Sequence, residues 1–588
     1  MPLPKGPLGT GPPRRARYQM YGFNQWIHLL GLMAKATTDA SRSARDSRVG
    51  ANVRPRFRAR VRTRRALLRH LPHGPIPGPG VPGRSGAGDG GGVRGTDAPL
   101  RTRATRRLPL HAVSGREAGE TRPYRHVLMG VQEDRAIRAT KSARCRLPPG
   151  PAAPSLVQSV RFLRDPYAML AGQHARFGDT FTLRVVGVGT LVMVSDPEGI
   201  RDIVTAPPDV LAAGRARGIL DVIYGTRSLL TLDGGGQAWQ RRFLMPLFHR
   251  SHIAHGQQLA LEATREAMAT WPADRPFPLV PRLMSITTDI LVQKFLKADR
   301  HTSLRVKELL LAFIEAAHQP LVFHLPQFPP ALAVGPWRRY GRTRDRLDTC
   351  LRELCATRRT SPRTTDDDLV TALLRADGPN GAPLDDETLR DILVVVLGSG
   401  AETVTYSLAW AMEAVLAHQE AADRARAELR HVTEGSPLTV DHLPRLPYLM
   451  AAVTEALRLY PINPIVLRRV LGPGFTVAGF PLPAGVHVAV NGCGAHRRAV
   501  TYPDPCRFRP ERWLGKGPAP YTWVPFGGGA RKCIAAHFAV HELQAMAASL
   551  LLEENLRLVS PAVSPGRLVG DMIVPSEGTI VTCTPRTP

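Results

Sequence analysis

The residues from Phe526 to Ala539, FGGGARKCIAAHFA, place a single cysteine after a run of glycines and ahead of an apolar helical pattern. A thiol at a helix N-terminus meets backbone N–H groups and the positive end of the helix dipole, which lower its pKa and favour a metal-binding thiolate. With no second cysteine beside it, such a thiolate suits the axial position of a haem iron, where it pushes electron density toward O–O cleavage. Two plainer readings stand next to this one. Cys533 could be a buried structural cysteine in a Gly-rich turn, or half of a Cys533/His537 metal pair, for which structural zinc needs two more ligands that are not suitably spaced.

Three other patterns carry chemistry. Glu455 and Arg458 lie three apart in a helical pattern that ends at Pro461. Such a pair is commonly a solvated surface contact, but Met450, Val453, Leu457, Leu459 and Tyr460 around it argue for burial. The turn-rich stretch from Asp504 to Trp513 holds Arg512, which could reach that pair. In the long apolar pattern 388–417, Ser399-Gly-Ala-Glu-Thr403 interrupts otherwise apolar turns. An acid beside a hydroxyl inside a buried helix is unfavourable unless it has a partner or a task. Gly400 leaves room for a flat cofactor or an oxygen ligand; the plain alternative is a solvent-facing Glu402 at a helix kink.

The elements that must position these residues follow from periodicity and turn signals. Leu147-Pro-Pro-Gly-Pro151 is a stiff turn that sets a boundary between an extension, 1–146, and a folded body, 147–588. Asp165-Pro166 is an N-cap followed by a first-turn proline, and predicts a helix to about Arg176. The β-branched run Thr180–Val194, with Gly187 and Gly189 inside it, predicts a hairpin. Apolar residues at helical spacing recur around 256–270, 303–317, 344–357, 368–375, 388–417, 419–432 and 446–459, with short strands near 473–490 and 567–584. The expected fold class is mainly α with small β-sheets.

Charge divides along the same boundary. Residues 1–146 hold 30 Lys and Arg against 8 Asp and Glu, and the remaining 442 hold 48 against 41. The net charge of +29 is therefore mostly a property of the extension, and nucleic-acid binding by the whole protein does not follow from it. The extension is rich in Arg, Pro and Gly, which cannot pack a core, so it is expected to be disordered. Seven cysteines with no Cys-x-x-Cys pair argue against a disulfide scaffold. The apolar run Trp26–Ala34 is too short to span a membrane, and the expected location is the cytoplasm.

Taken in order and spacing, the four motifs resemble those of the cytochrome P450 family, bacterial type, over about residues 147–588. The resemblance implies a haem-thiolate monooxygenase with haem b, in which Cys533 is the proximal iron ligand, Phe526 packs beside the sulfur and Gly529 belongs to the cofactor-binding loop. It implies that Glu402 and Thr403 relay protons to dioxygen, and that Arg531, Arg241 and Arg468 or Arg469 hold the haem propionates. By the same likeness Glu455, Arg458 and Arg512 form a structural network. This chain departs from the family's pattern at Ala535, Gln237 and Val404, where Gly, Trp or His, and a second Thr are frequent.

Electrons are expected from a separate ferredoxin and ferredoxin reductase that ultimately use NAD(P)H, with Arg531, Lys532 and nearby basic residues as a docking face. The candidate pocket walls, Leu211–Leu232, Val396–Thr403 and Asn463–Leu467, are largely aliphatic and favour a small nonpolar substrate. The Gly-x-Glu-Thr helix and Arg-Lys-Cys loop are weakly similar to those of bacterial terpene-oxidising members, which places a terpenoid of secondary metabolism among the candidates, with fatty acid, steroid and polyketide hydroxylation also open. Two other readings stand open: a peroxygenase or rearrangement enzyme without a redox partner, against which Glu402 and Thr403 argue, and a basic N-terminal arm that binds nucleic acid or an anionic surface.

Overall fold

The computed structural model describes residues 146–324, 335–361, 368–472, 474–515, 517–552 and 556–583. Except for Arg146, the expected basic extension and its proposed nucleic-acid role lie outside the described residues. The body begins where the prolines of Leu147–Pro151 dock onto the first strand. The N–H and the hydroxyl of Thr182 donate to the carbonyls of Pro149 and Pro148 at 2.9 and 2.7 Å. A Cβ on Gly150 would stand 2.0 Å from the Thr182 carbonyl oxygen, so that approach requires glycine.

Twelve strands are found among the described residues: β1 (Thr180–Val185), β2 (Gly189–Val194), β3 (Leu211–Ala212), β4 (Phe277–Pro278), β5 (Ile465–Val470), β6 (Phe475–Val477), β7 (Phe480–Leu482), β8 (His487–Asn491), β9 (Leu556–Leu558), β10 (Gly566–Val569), β11 (Met572–Pro575) and β12 (Ile580–Cys583). The largest sheet runs β1-β2-β8-β5-β3, with β2 and β8 parallel and the other pairs antiparallel. β10 and β11 form a separate hairpin whose tip is Gly570-Asp571.

Helices make the bulk of the body. At its centre lie the helix Asp386–Val394, a π-helical turn Val395–Ser399 and the helix Gly400–Ala417. Asp385 caps the start by accepting the Thr388 N–H at 2.8 Å. Around this axis pack the helices Leu279–Leu296, Pro447–Leu459 and Ala536–Leu552, joined in one apolar core through Leu283, Ile290, Leu408, Met412, Leu449, Val453, Leu543 and Met546. Asp386–Ala417 is the one helical stretch among the described residues that is long and apolar enough to cross a membrane; 83% of its most apolar window is buried inside the molecule.

The mainly α architecture with small sheets is the one expected. The sequence pattern passes over the helix Leu279–Leu296 and the strand β5. The helix is buried on most of its faces, so it lacks the apolar-polar contrast that marks an amphipathic helix, and Pro281 in its first turn reads as a breaker although that position tolerates it. β5 carries Arg468 and Arg469 in its middle, which disguises its alternation.

Candidate functional site

The cysteine loop is held by backbone geometry. The Cys533 N–H donates to the Phe526 carbonyl at 2.9 Å, closing the turn between them. Gly529 has φ +61°, and a Cβ there would lie 1.7 Å from the Val204 carbonyl oxygen, so the loop can press against the helix Pro197–Thr205 only as glycine. The Phe526 ring packs edge to face on Trp523, with centroids 5.7 Å apart. Arg241, from the helix Gly234–Leu244, crosses to the loop and donates to the Lys532 carbonyl at 2.6 Å.

Cys533 is accessible at its surface yet set deep in the protein. Desolvation raises its thiol pKa, against the Ala535 N–H and the positive charges of Arg241 and Lys532, which pull it down. Burial thus runs against the lowered thiol pKa expected from the sequence, and a bound cation would favour the thiolate. Among the described residues no group of three or more His, Cys, Asp or Glu is placed to hold a metal, and His537 instead stacks on His541 with centroids 4.8 Å apart. The zinc-pair reading has no such support.

A wall of guanidinium groups adjoins the loop. Arg531 donates to the Leu229 carbonyl at 3.1 Å, to the Leu232 carbonyl, and to Asp233 Oδ1 at 2.6 Å. Asp233 also accepts the N–H groups of Ala213, Gly214 and Arg215 at 2.8–2.9 Å. Despite its own desolvation, these donors hold its carboxyl below the usual range. Arg468 is 3% exposed; its Nη1 donates to the Leu467 carbonyl, and its buried Nη2 has no hydrogen-bond partner. Burial, with the charges of Arg217 and Arg531, pushes Arg468 down to about 9. Burial and Arg217 take Arg531 to about 10, against the pull of Asp233.

Three mutually repelling cations around one carboxylate, with an orphaned buried donor, fit a ligand that carries negative charge into this site. The two propionates of haem b meet that requirement, and the accessible sulfur of Cys533 on the adjoining loop suits its iron. Arg217, in the loop Leu211–Leu232, was not singled out by sequence; its only signal is a basic residue in an otherwise aliphatic wall. Arg469 does not join the cluster. Strand alternation turns it to the other side of β5, in register with His487 of β8, so of the two expected alternatives Arg468 is the one beside Arg531 and Arg217.

The central helix supplies an acid and a hydroxyl that face different partners. Glu402 is fully buried, which excludes the solvent-facing alternative. Its Oε2 accepts from the Tyr224 hydroxyl at 3.2 Å, and its Oε1 lies 3.0 Å from His318 Nδ1. Desolvation pushes this carboxyl up to about 8, against the pull of the Tyr224 hydrogen bond. Thr403 Oγ1 donates to the Ser399 carbonyl at 2.7 Å, on the last residue of the π turn. Gly400 does not open space for a ligand as expected. A Cβ there would come within 2.9 Å of Leu291 Cδ1, so this glycine serves close packing of two helices.

Glu455 and Arg458 are both fully buried and joined by two bonds, Nε to Oε2 at 2.7 Å and Nη2 to Oε1 at 2.8 Å. Glu455 also accepts from Arg512 Nε, the Arg509 N–H and Trp513 Nε1 at 2.8–2.9 Å. Arg458 Nη1 donates to the carbonyls of His496 and Pro505. The network ties the helix Pro447–Leu459 to the turns that precede the cysteine loop.

Comparison with known proteins agrees with this geometry. The cytochrome P450 family profile matches residues 148–568. The Mycobacterium tuberculosis protein named "Putative cytochrome P450 137" is 32% identical over 452 residues, which span 74% of this chain and 91% of that protein. "Putative cytochrome P450 135B1" of Mycobacterium bovis is 31% identical over 74% of this chain and 90% of its own. The solved structure of retinoic acid-bound cyanobacterial CYP120A1 superposes with a TM-score of 0.65 over 75% of this chain and 99% of that one, at 23% identity, and so shares the fold.

Proposed function

The chain belongs to the cytochrome P450 family of haem b monooxygenases, and within it we propose that this protein hydroxylates a small nonpolar molecule, with Cys533 as the residue that would hold the haem iron. Haem b on a thiolate supplies the reduction of dioxygen by two electrons and two protons, one oxygen atom entering a C–H bond and the other leaving as water. The rest of the chemistry belongs to this chain's residues. Arg468 and Arg531, with Arg241 and Arg217 beside them, bind and orient the propionates. Glu402 holds a proton in a site closed to bulk water, and Thr403 presents a hydroxyl on the next residue of the same helix. Glu455, Arg458 and Arg512 keep the approach to the cysteine loop rigid.

The single observation that carries this reading is the accessible Cys533 sulfur beside a wall of arginines with an unpaired buried donor. Aliphatic residues such as Leu230 and Val396 support a nonpolar substrate, and a terpenoid is consistent with them. The exposed side chains of Arg242, Arg250 and Lys532 near the loop support docking of an acidic ferredoxin, itself reduced from NAD(P)H by its reductase in the cytoplasm.

The reduced, carbon monoxide-bound absorption spectrum tests the axial ligand. The wild type is expected to show the red-shifted Soret band of thiolate-ligated haem and Cys533→Ala to lose it; a band at the neutral-ligand position in the wild type overturns the assignment. Thr403→Ala is expected to retain haem but to release more hydrogen peroxide per electron pair, with a compound selected by the shift it causes in the haem spectrum. Unchanged peroxide yield would remove Thr403 from proton handling.

A further inference from the structure

A fully buried imidazole, His496, joins the Glu455–Arg458 network to the segment that leads into the cysteine loop. His496 follows the short helix Gly492–Ala495, and its N–H donates to the Gly492 carbonyl at 3.0 Å. Each ring nitrogen has one partner. Nδ1 lies 2.8 Å from the Arg458 carbonyl oxygen, and Nε2 accepts the Val524 N–H at 2.9 Å. A carbonyl only accepts and a backbone N–H only donates, so the two partners select one form of the ring, neutral with its proton on Nδ1. Burial and the Arg458 charge favour the same form, and push the imidazole down to about 3. The Arg458 guanidinium completes the clasp by donating to the His496 carbonyl.

From Val524 the hydrogen bonds continue to the cysteine. The Val524 carbonyl accepts the Gly527 N–H at 3.0 Å, and the Phe526 carbonyl accepts the Cys533 N–H at 2.9 Å. Two other contacts link the network to this segment, and both act less directly. The Tyr502 hydroxyl donates to the Thr522 carbonyl at 3.1 Å, with the Arg458 guanidinium 4.9 Å from the centre of its ring. Trp513, whose Nε1 donates to Glu455, meets the segment through the Trp523 ring, with centroids 6.3 Å apart. His496 therefore grips the backbone itself, and at a point nearer the loop than Tyr502 does.

We propose that His496 is a positioning residue for Cys533. By bridging the Arg458 carbonyl and the Val524 N–H, it fixes the start of the turn that ends on the Cys533 N–H, and with it the direction in which the sulfur is presented. This rests on the reading of Cys533 as the residue that would hold the haem iron. Without the ring, two buried backbone groups lose their shared partner, and the segment from Val524 to Phe526 must shift to satisfy them. Glu455 meanwhile keeps all five of its hydrogen bonds. Loss of His496 is thus expected to loosen the ligand loop and to spare the scaffold beneath it.

Side-chain length separates the two ring bonds. Asparagine places its amide near the Nδ1 position and glutamine near the Nε2 position. His496→Gln can therefore accept the Val524 N–H, His496→Asn cannot, and His496→Leu makes neither bond. In the reduced, carbon monoxide-bound full-chain holoprotein, held in mild denaturant, the half-life of the thiolate Soret band is expected to fall about tenfold in His496→Leu and His496→Asn. It is expected to return toward wild type in His496→Gln. Hydrogen–deuterium exchange of the Val524 amide in the same holoproteins should quicken and recover in the same order. Tyr502→Phe cuts the neighbouring link as a control for general loosening, and is expected to leave the Val524 amide protected.

A thiolate band as long-lived in His496→Leu as in wild type would overturn the proposal and leave Cys533 as the ligand. So would a fall of equal size in all three histidine variants and in Tyr502→Phe. If His496→Leu does not accumulate as folded protein, the contrast between His496→Gln and His496→Asn decides, and equal half-lives in those two overturn the proposal. A wild-type band at the neutral-ligand position would instead overturn the Cys533 reading, and the proposal with it.

Discussion

Glu455 and Glu402 are both fully buried glutamates in apolar helices, and the contrast between their surroundings separates scaffold from chemistry. Glu455 accepts five hydrogen bonds, from both ends of Arg458's fork, from Arg512, from Trp513 and from a backbone N–H. Its negative charge is met on every side. Glu402 has a phenol and an uncharged imidazole, and its carboxyl is pushed up to about 8. The same contrast holds among arginines: Arg458 spends its donors on Glu455 and on carbonyls, whereas buried Arg468 keeps one nitrogen unpaired. A buried charge with a complete set of partners holds the fold together, and one left short of partners waits for a ligand or a proton.

Removing the satisfied acid should have the largest effect. Glu455→Ala strands Arg458 and Arg512 and is expected to destabilise the protein by about 3–5 kcal/mol, with a matching loss of recoverable holoprotein. Chemical denaturation measures it, and an unchanged midpoint would erase the distinction between the two sites.

Glu402→Gln should have the opposite sign. The folded pKa of about 8 lies above the ordinary 4.5, so the folded state binds the extra proton between those values. The wild type's stability from this group is therefore present at low pH and lost as pH rises toward 8. The glutamine variant has no such loss, and its advantage over wild type should grow by about 3–4 kcal/mol from pH 5 to pH 8. A pH-independent difference would mean that Glu402 ionises freely. Arg468→Met sharpens the second half of the comparison. Haem-free protein is expected to gain up to about 1 kcal/mol of stability by shedding an unpaired cation, while haem transfer to apomyoglobin becomes about tenfold faster. A haem loss rate equal to wild type would show that Arg468 does not hold the cofactor.

How much of this was legible in the sequence depended on how local the cause was. The cysteine loop was readable because glycines, a cysteine and an apolar helix follow one another within fourteen positions, and local backbone sterics dictate the turn. The Glu455–Arg458 pair was readable because three residues along a helix share a face. The π turn at Val395–Ser399 was not, since it is an extra residue accommodated by packing and leaves no compositional mark. Arg217 and His318 were missed for another reason. Each is an isolated polar residue whose meaning lies in what it meets, and Tyr224 meets Glu402 across 178 positions of chain.

By itself, then, the sequence determined which residues are able to do chemistry: one cysteine at the head of an apolar helix with an arginine two residues before it, and an acid beside a hydroxyl in a buried helix. These follow from side-chain type and spacing within a turn or two, where covalent geometry sets the neighbours. The tertiary structure alone decided the state of those residues. It determined that Cys533 is desolvated more than it is activated, that Arg468 and not Arg469 faces the site, and that Glu402 is turned to Tyr224 and His318. Desolvation and Coulomb interaction depend on which distant segments pack together, and that information is absent from any short window of the chain.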